Sequence, residues 1–335
     1  MIHVENLTKE FKMYKKQPGF MGAVKGLFSR EAEIKKAVDN ISFHINEGEM
    51  VGYIGANGAG KSTSIKIMTG ILVPSSGKCV VDGIIPYENR QKNAKKIGVV
   101  FGQRTQLWWD LPLTETFSIL KDIYDVDDKT FKERMDFLNE VLDLQEFMSS
   151  SVRTLSLGQR MRADLAAALI HNPKILYLDE PTIGLDVMVK EKIRKAIKAI
   201  NKEYKTTVIL TTHDLSDIEE LCDRILIIDK GKTVYDGGIE NIKETYGYMR
   251  TVEMCVKDIE AAKKIDVAQT FELSIEDAIT TVEGNSLFVT FNRNKISISD
   301  IVGHIMSKIQ VTDMNIKETD IEEIVKRIYN HEVKL

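Results

Sequence analysis

VGYIGANGAGKST, residues 51–63, decides the fold. Gly55, Gly60, Lys61 and Ser62 fit the spacing G-x-x-x-x-G-K-[ST], after the apolar run MVGYIG (50–55) and before a plausible helix, STSIKIMTG. Glycines let the backbone curl until several N–H groups converge, which makes a nest for phosphate oxygens. The helix N-terminus adds partial positive charge at the same point. Asn57, Gly58, Gly60, Lys61, Ser62 and Thr63 are therefore candidate nucleotide-binding residues. Lys61 reaches the β- and γ-phosphates, and the Ser62 hydroxyl is offered to Mg2+.

A second segment supplies the other half of such a site. In ILYLDEP (175–181), Asp179 closes an apolar strand, where a carboxylate holds Mg2+ directly or through water. Glu180 follows, placed to polarise water against the γ-phosphate. In TTHD (211–214), His213 ends another strand, on the edge of a parallel sheet where ligands usually sit.

The rest of the first two-thirds agrees with that sheet. MVGYIG (50–55), KIGVVF (96–101), KILYLD (174–179), TVILTT (207–212) and RILIID (224–229) are short runs, several apolar almost throughout, as strands buried on both faces are. Between them, residues 113–144 read as mainly helical, with Phe131, Met135, Leu138 and Leu142 mostly three or four apart, and Ile193, Ile197 and Ile200 continue the pattern in a later helix. After Tyr235 the glycine-rich loops stop. KGKTVYDGG reads as a turn with a short strand, TVEMCV and SLFVTF as strands, and ISDIVGHIMSKI and TDIEEIVKRIY as helices. The reading is an α/β nucleotide-binding domain over 1–240, with a helical subdomain at about 104–165, then a small α+β domain over 241–335.

Composition narrows the function. The 335 residues are 43% apolar and 29% charged with a formal net charge of −4, which argues against a general nucleic-acid binder. No apolar run approaches the 18 or so residues that span a bilayer, and MIHVENLTKEFK lacks the apolar core expected of a signal peptide. Cys79, Cys222 and Cys255 are scattered thiols without a CxxC pair and fit buried structural positions in a reducing compartment.

These motifs, in this order, resemble the nucleotide-binding subunit of an ABC transporter over residues 1 to about 240. The matching segments are GANGAGKS (55–62), ILYLDE (175–180), the signature LSLGQR (155–160), the D-loop IGLD (183–186) and His213. The resemblance implies a P-loop ABC-type ATPase fold, and ATP and Mg2+ as ligands. It implies that Glu180, His213 and Gln103 act in catalysis, with Gln103 also touching Mg2+ and sensing a membrane subunit. Ser62 and Asp179 complete the metal set. Phe11 stands where the family stacks an aromatic, more often tyrosine, on adenine after the first strand. Ser156, Gly158 and Gln159 of the signature face the γ-phosphate held by the opposite subunit. Two chains, as a homodimer or heterodimer, would then sandwich two ATPs head to tail. The signature departs from the usual LSGGQ at Leu157, which adds bulk and removes the freedom to take a positive φ.

Other members of the superfamily fit less well. A DNA-repair ATPase would need a long coiled-coil insertion, and no sustained heptads occur. A translation factor would carry two phosphate loops per chain, and a metabolite kinase would not explain LSLGQR. The expected function is an ATPase subunit on the cytoplasmic face of the cell membrane that powers export through a separate permease. The alternatives are an importer subunit or a non-transport ABC ATPase. Export rests on resemblance to bacterial subunits paired with ABC-2-type permeases, in QLWWDLP (106–112) and in the segment after Phe11, and on a tail that does not read as the β-barrel of sugar importers. In FGQRTQLWWDLP (101–112), Trp108 and Trp109 cannot both enter one core from a regular strand. One of them is a candidate anchor for the membrane partner; the alternative is packing against the helical subdomain. Residues 12–36 carry seven Lys or Arg against two Glu, with Phe20, Met21, Leu27 and Phe28 among them, as would suit anionic headgroups, the partner or a solvated loop. The transported substrate is not legible.

Overall fold

The computed structural model describes residues 1–14, 32–102 and 104–329, so Gln103 and most of the basic segment after Phe11 lie outside the described residues. The chain divides into two compact units, Met1–Gly237 and Gly238–Leu335.

The first unit opens with strands β1 (Ile2–Tyr14) and β2 (Ala32–Ile45), followed by β3 (Met50–Gly55), helix α1 (Lys61–Met68), β4 (Ser76–Val81), α2 (Arg90–Ala94) and β5 (Ile97–Phe101). Helices α3 (Leu113–Ile123), α4 (Asp128–Leu142) and α5 (Leu157–Leu169) come next. Then β6 (Ile175–Asp179), α6 (Val187–Tyr204), β7 (Thr207–Thr211), α7 (Leu215–Leu221), β8 (Arg224–Asp229) and β9 (Lys232–Gly238) complete a six-stranded sheet of order β5-β6-β7-β3-β8-β9. Its strands from β5 to β8 are parallel. β7 is buried along its whole length and β3, β6 and β8 nearly so, which is why they read as unbroken apolar runs. Phe131 and Met135 of α4 are half-buried while Leu138 and Leu142 are buried, and Ile193, Ile197 and Ile200 line the inner face of α6.

A second sheet, β2-β1-β4, is antiparallel, and the sequence reading did not anticipate it. Register shifts interrupt the β1–β2 pairing between Val4 and Leu7, Leu7 and Lys9, and Lys9 and Glu10. Each bulge breaks the two-residue alternation that marks a strand in sequence. Phe11 consequently lies within β1 rather than after it.

The second unit contains α8 (Ile239–Tyr246), β10 (Met249–Val256), the short helices α9 (Ile259–Ala262) and α10 (Val267–Thr270), β11 (Ala278–Glu283), β12 (Ser286–Asn292), α11 (Ile298–Lys308), β13 (Val311–Glu318) and α12 (Ile321–Tyr329). The order β11-β12-β10-β13, antiparallel throughout, is a split β-α-β arrangement. Val252, Met254, Val256, Leu287, Val289 and Phe291 alternate inward and meet Ile301 and Ile305 of α11. Cys79 and Cys222 are buried, and burial pushes the Cys79 thiol up to about 12; Cys255, by contrast, is half-buried, so the expectation of three buried thiols holds for two.

Candidate nucleotide site

The loop after β3 is shaped by two residues. Gly60, the N-cap of α1, has φ 112°, and a Cβ there would lie 2.4 Å from the Ala37 carbonyl oxygen. Gly58 has φ 81° and faces open space. No side chain caps α1 and no acidic residue stands in its first turn, so the helix N-terminus is left for an outside anion. Lys61 is 8% exposed and its Nζ turns back onto the Gly55 carbonyl, with the Ala56 carbonyl 3.4 Å away. Burial lowers its pKa below the ordinary lysine value, opposed by the charges of Glu180 and Asp179. Ser62 is exposed and Thr63 half-buried beside it.

Asp179 and Glu180 leave β6 side by side. The Thr211 hydroxyl donates to Asp179 Oδ1 at 2.5 Å. Glu180 has φ 59°, an uncommon conformation for a residue with a side chain, and its N–H donates to the Thr211 carbonyl at 2.9 Å. That backbone turns the carboxylate toward His213, whose N–H donates to Oε2 at 3.2 Å and whose Nε2 lies 3.3 Å from Oε1. Burial raises the Glu180 pKa, with the His213 and Lys61 charges pulling the other way.

Beneath this pair lies a residue that the sequence reading missed. Asp217 is fully buried; it accepts hydrogen bonds from Thr182 (2.5 Å), Thr212 (3.1 Å) and Arg194 Nε (2.6 Å). It thereby joins the turn after Glu180, the loop before His213 and helix α6. In sequence it is one more acidic residue in a helix first turn, and nothing there marks it. A buried carboxylate with every partner in place holds loops rigid, and loss of the charge leaves those donors unpaired.

The signature residues form a separate cluster. Ser156 caps α5, accepting from the Gln159 N–H at 3.2 Å while its own N–H donates to Gln159 Oε1 at 2.9 Å, a reciprocal capping box. Leu157 is the first helical residue, where a positive φ is not required, so its side chain does not disturb the loop. A Cβ on Gly184 would lie 3.3 Å from Leu157, and one on Gly158 only 2.9 Å from Val189. Signature and D-loop therefore pack on each other within one chain. The D-loop ties this cluster to the group of Lys61, Asp179, Glu180 and His213, as the Ile183 N–H donates to the Glu180 carbonyl at 3.4 Å.

Phe11 is 37% exposed on β1, with Lys9 Nζ 5.3 Å from its ring centroid. Gln103 lies outside the described residues. The strand before it is held to the site by the Gly102 N–H, which donates to the Asp179 carbonyl at 2.7 Å. Trp108 and Trp109 are both exposed, at 39% and 50%, with Arg160 5.6 Å over the Trp109 ring. Gly102, Thr105, Trp109, Leu157, Arg160 and Asp164 line a cleft of about 160 Å³ beside them.

Asp164 anchors that segment to α5: Oδ1 accepts from the Thr105 hydroxyl at 2.9 Å and the Gln106 N–H at 3.0 Å. Burial pushes its carboxyl up to about 6, with Gln106, Thr105 and Arg160 opposing. The folded protein thus binds a proton that the unfolded chain has released above about pH 4. Stability falls as pH rises from about 4 to 6 and stays lower above that window. Asp164→Asn keeps the acceptor and removes the buried charge. Urea titrations should find it about 3 kcal/mol more stable than wild type at pH 7.5, with about half that gain at pH 5. An equal or lower stability of the variant at pH 7.5 would contradict the assignment.

The donor chemistry fits Mg2+ with a nucleotide. Mg2+ is usually held by one or two carboxylates plus phosphate oxygens rather than by a protein cage. Here Asp179 and the Ser62 hydroxyl are the available oxygens, and no group of three potential metal ligands occurs among the described residues. The family model described as "ABC transporter" matches residues 38–183. NatA, an ABC transporter ATP-binding protein of Bacillus subtilis (strain 168), is 32% identical over 218 residues, covering 65% of this chain and 88% of NatA. The chain belongs to the ABC transporter ATP-binding proteins. The methionine import ATP-binding protein MetN of Geobacillus kaustophilus (strain HTA426) is 35% identical over 210 residues, 62% of this chain and 61% of MetN. Among solved structures, the dimeric post-hydrolysis ATP-binding cassette MJ0796 bound to ADP and Pi superposes with TM-score 0.59 at 29% identity, covering 71% of this chain and 99% of that one. The α/β fold is that of these cassettes.

Proposed function

We propose that this ABC protein binds and hydrolyses ATP as one of two ATPase subunits that drive export through a separate ABC-2-type permease. The carrying observation is the convergence of Lys61, Asp179, Glu180 and His213 at the ends of neighbouring parallel strands. Ser62, Asp179 and Gln103 would hold Mg2+, which would neutralise charge on the phosphates of bound ATP. The protein's own groups do the rest. The loop N–H groups and Lys61 orient the phosphates, Phe11 stacks on the base, Glu180 takes the proton of the attacking water, and His213 keeps the Glu180 carboxylate aimed.

The signature cluster supports a head-to-tail dimer, homo- or heterodimeric, in which Ser156, Gly158 and Gln159 meet the ATP of the other subunit. Ile183, Val187 and Met188 lie beside it and are 39%, 78% and 67% exposed, a patch that suits cover by a second subunit. MJ0796 is a dimeric relative of the same kind.

The permease reading is supported by the exposed indoles at the Gln103 junction. No helix among the described residues is long and apolar enough to cross a membrane, and we place the protein on the cytoplasmic face of the membrane, held by the permease. The basic residues of 12–36 suit anionic headgroups, and the net negative charge does not favour nucleic acid. Export is favoured by the QLWWDLP segment and by the second unit, whose four-stranded sheet ends in two edge strands instead of closing into a barrel; we treat residues 241–335 as an accessory domain. Import is the alternative, since MetN is also a relative.

Titrating the solubilised permease with Trp108→Ala and Trp109→Ala variants tests the docking. One of the two should bind about 30-fold more weakly, the loss of a central anchor of about 2 kcal/mol. Its basal ATPase and thermal midpoint should stay at the wild-type values. Unchanged permease affinity and stimulation in both variants would remove the indoles from the interface.

A further inference from the structure

The second unit has two edge strands, β11 and β13, and they differ. Among the described residues β13 pairs with β10 alone, so half of its backbone N–H and C=O groups point away from the sheet. Residues 312–317 are all exposed. Met314 and Ile316 stand opposite Met254 and Val252, which are buried, so they share the core-facing side of the sheet. Yet Met314 is 44% and Ile316 46% exposed, because no strand among the described residues continues the sheet beyond this edge. Asp313, Asn315 and Lys317 occupy the other side, opposite Cys255, Glu253 and Thr251. Lys317 reaches Glu253 at 2.9 Å and keeps more than half of its side chain exposed.

Natural edge strands are blunted by charges that repel a second strand. On β13 the charges are instead arranged to match. If two copies of the strand lie antiparallel about a two-fold axis at Asn315, Asp313 faces the other copy's Lys317 on both sides of the axis, and Met314 faces its Ile316 twice. One register satisfies both the charges and the apolar side chains. β11 has no such property: Glu283 is its one charged residue, and self-pairing brings no opposite charge to it.

We propose that β13 is a self-recognition edge that pairs antiparallel with β13 of a second copy of this chain, in the register centred on Asn315. A single strand pair is far below the interface area of a stable dimer. The contact is therefore weak on its own and takes effect where two copies are already held close, which raises their effective concentration. It does not depend on the nucleotide site.

Directly opposed residues of an antiparallel pair have Cα atoms about 4.5–5.5 Å apart, within disulfide range. The test uses the full chain without nucleotide, at a protein concentration high enough to populate a weak contact, carrying Cys255→Ser, with diamide as oxidant. Asn315→Cys should form a covalent dimer rapidly, whereas Thr281→Cys, exposed on β11, should stay monomeric. Adding Asp313→Lys or Lys317→Asp to the Asn315→Cys chain sets like charges opposite each other twice and should slow cross-linking about tenfold. An equimolar mixture of those two variants restores opposite charges in the unlike pairs, about half of all encounters, and should return the rate to about half of its original value at the same total concentration. Cross-linking at 315 no faster than at 281, or a mixture no faster than its components, overturns the proposal.

Discussion

Glu180→Gln should bind ATP about as well as wild type and lose at least about 100-fold in steady-state hydrolysis, the low end of what a general base contributes. The geometry gives the reason. Glu180 sits beside Asp179 with its carboxylate directed at His213, and burial raises its pKa. A higher pKa makes it a better proton acceptor than an ordinary surface glutamate, while the neighbouring positive charges keep it ionised. Glutamine preserves the shape and the acceptor for the His213 N–H but cannot take a proton. The variant should therefore remain as an ATP-bound dimer, visible as a mass doubling by light scattering on addition of Mg2+ and ATP. Near-normal turnover by the purified variant would assign the proton acceptor elsewhere.

Lys61→Ala and Ser156→Arg should each abolish hydrolysis, and mixing them should restore part of it. Removing Lys61 deletes the buried ammonium that we propose faces the phosphates, so binding should fail along with chemistry. Ser156→Arg removes the cap of α5 and places a bulky cation where the second subunit's γ-phosphate would lie. In a mixed dimer one site carries both lesions and the other neither. Random assortment makes half of the dimers mixed with one intact site each, so about a quarter of wild-type activity should return if the sites act independently. No recovery, in a sample where mixed dimers are demonstrated, would rule out simple complementation between chains. Dimerisation of Glu180→Gln then separates failed assembly from obligatory coupling of two sites.

The parallel sheet was readable because its strands are covered on both faces, so burial alone wrote them as apolar runs. RILIID and MVGYIG coincide with β8 and β3 to the residue. The antiparallel sheet was not readable, because its long strands carry bulges and one exposed face. β11 and β13 were hidden for a related reason: AITTVE is half polar, and VTDMNIKE places its apolar residues on an edge that exposes them. Within the site, the phosphate loop announces itself because glycine is required where φ is 112° and a carbonyl stands 2.4 Å from any Cβ. The support beneath it does not. Asp217 is recognisable only once three chain segments have been brought around it. The left-handed backbone of Glu180 is likewise a property of the folded turn and leaves no trace in the residue type.

The strand order has a mechanical consequence. β6, β7 and β3 are consecutive in the sheet, so Asp179 and Glu180, His213, and the phosphate loop hang from three adjacent bars of one grating. The bars are about 4.8 Å apart, which sets the width of the site at about 10 Å and leaves it almost no give. On the function proposed above, a rigid gauge of this kind reports whether a third phosphate is there and leaves the stroke to other parts of the chain. On that same function, the travel comes from α3, α4 and α5 and the segment leading to them, and the last bar on that side is β5. Since the Gly102 N–H at the end of β5 is latched to the Asp179 carbonyl, any tug from outside arrives one residue from the reacting centre.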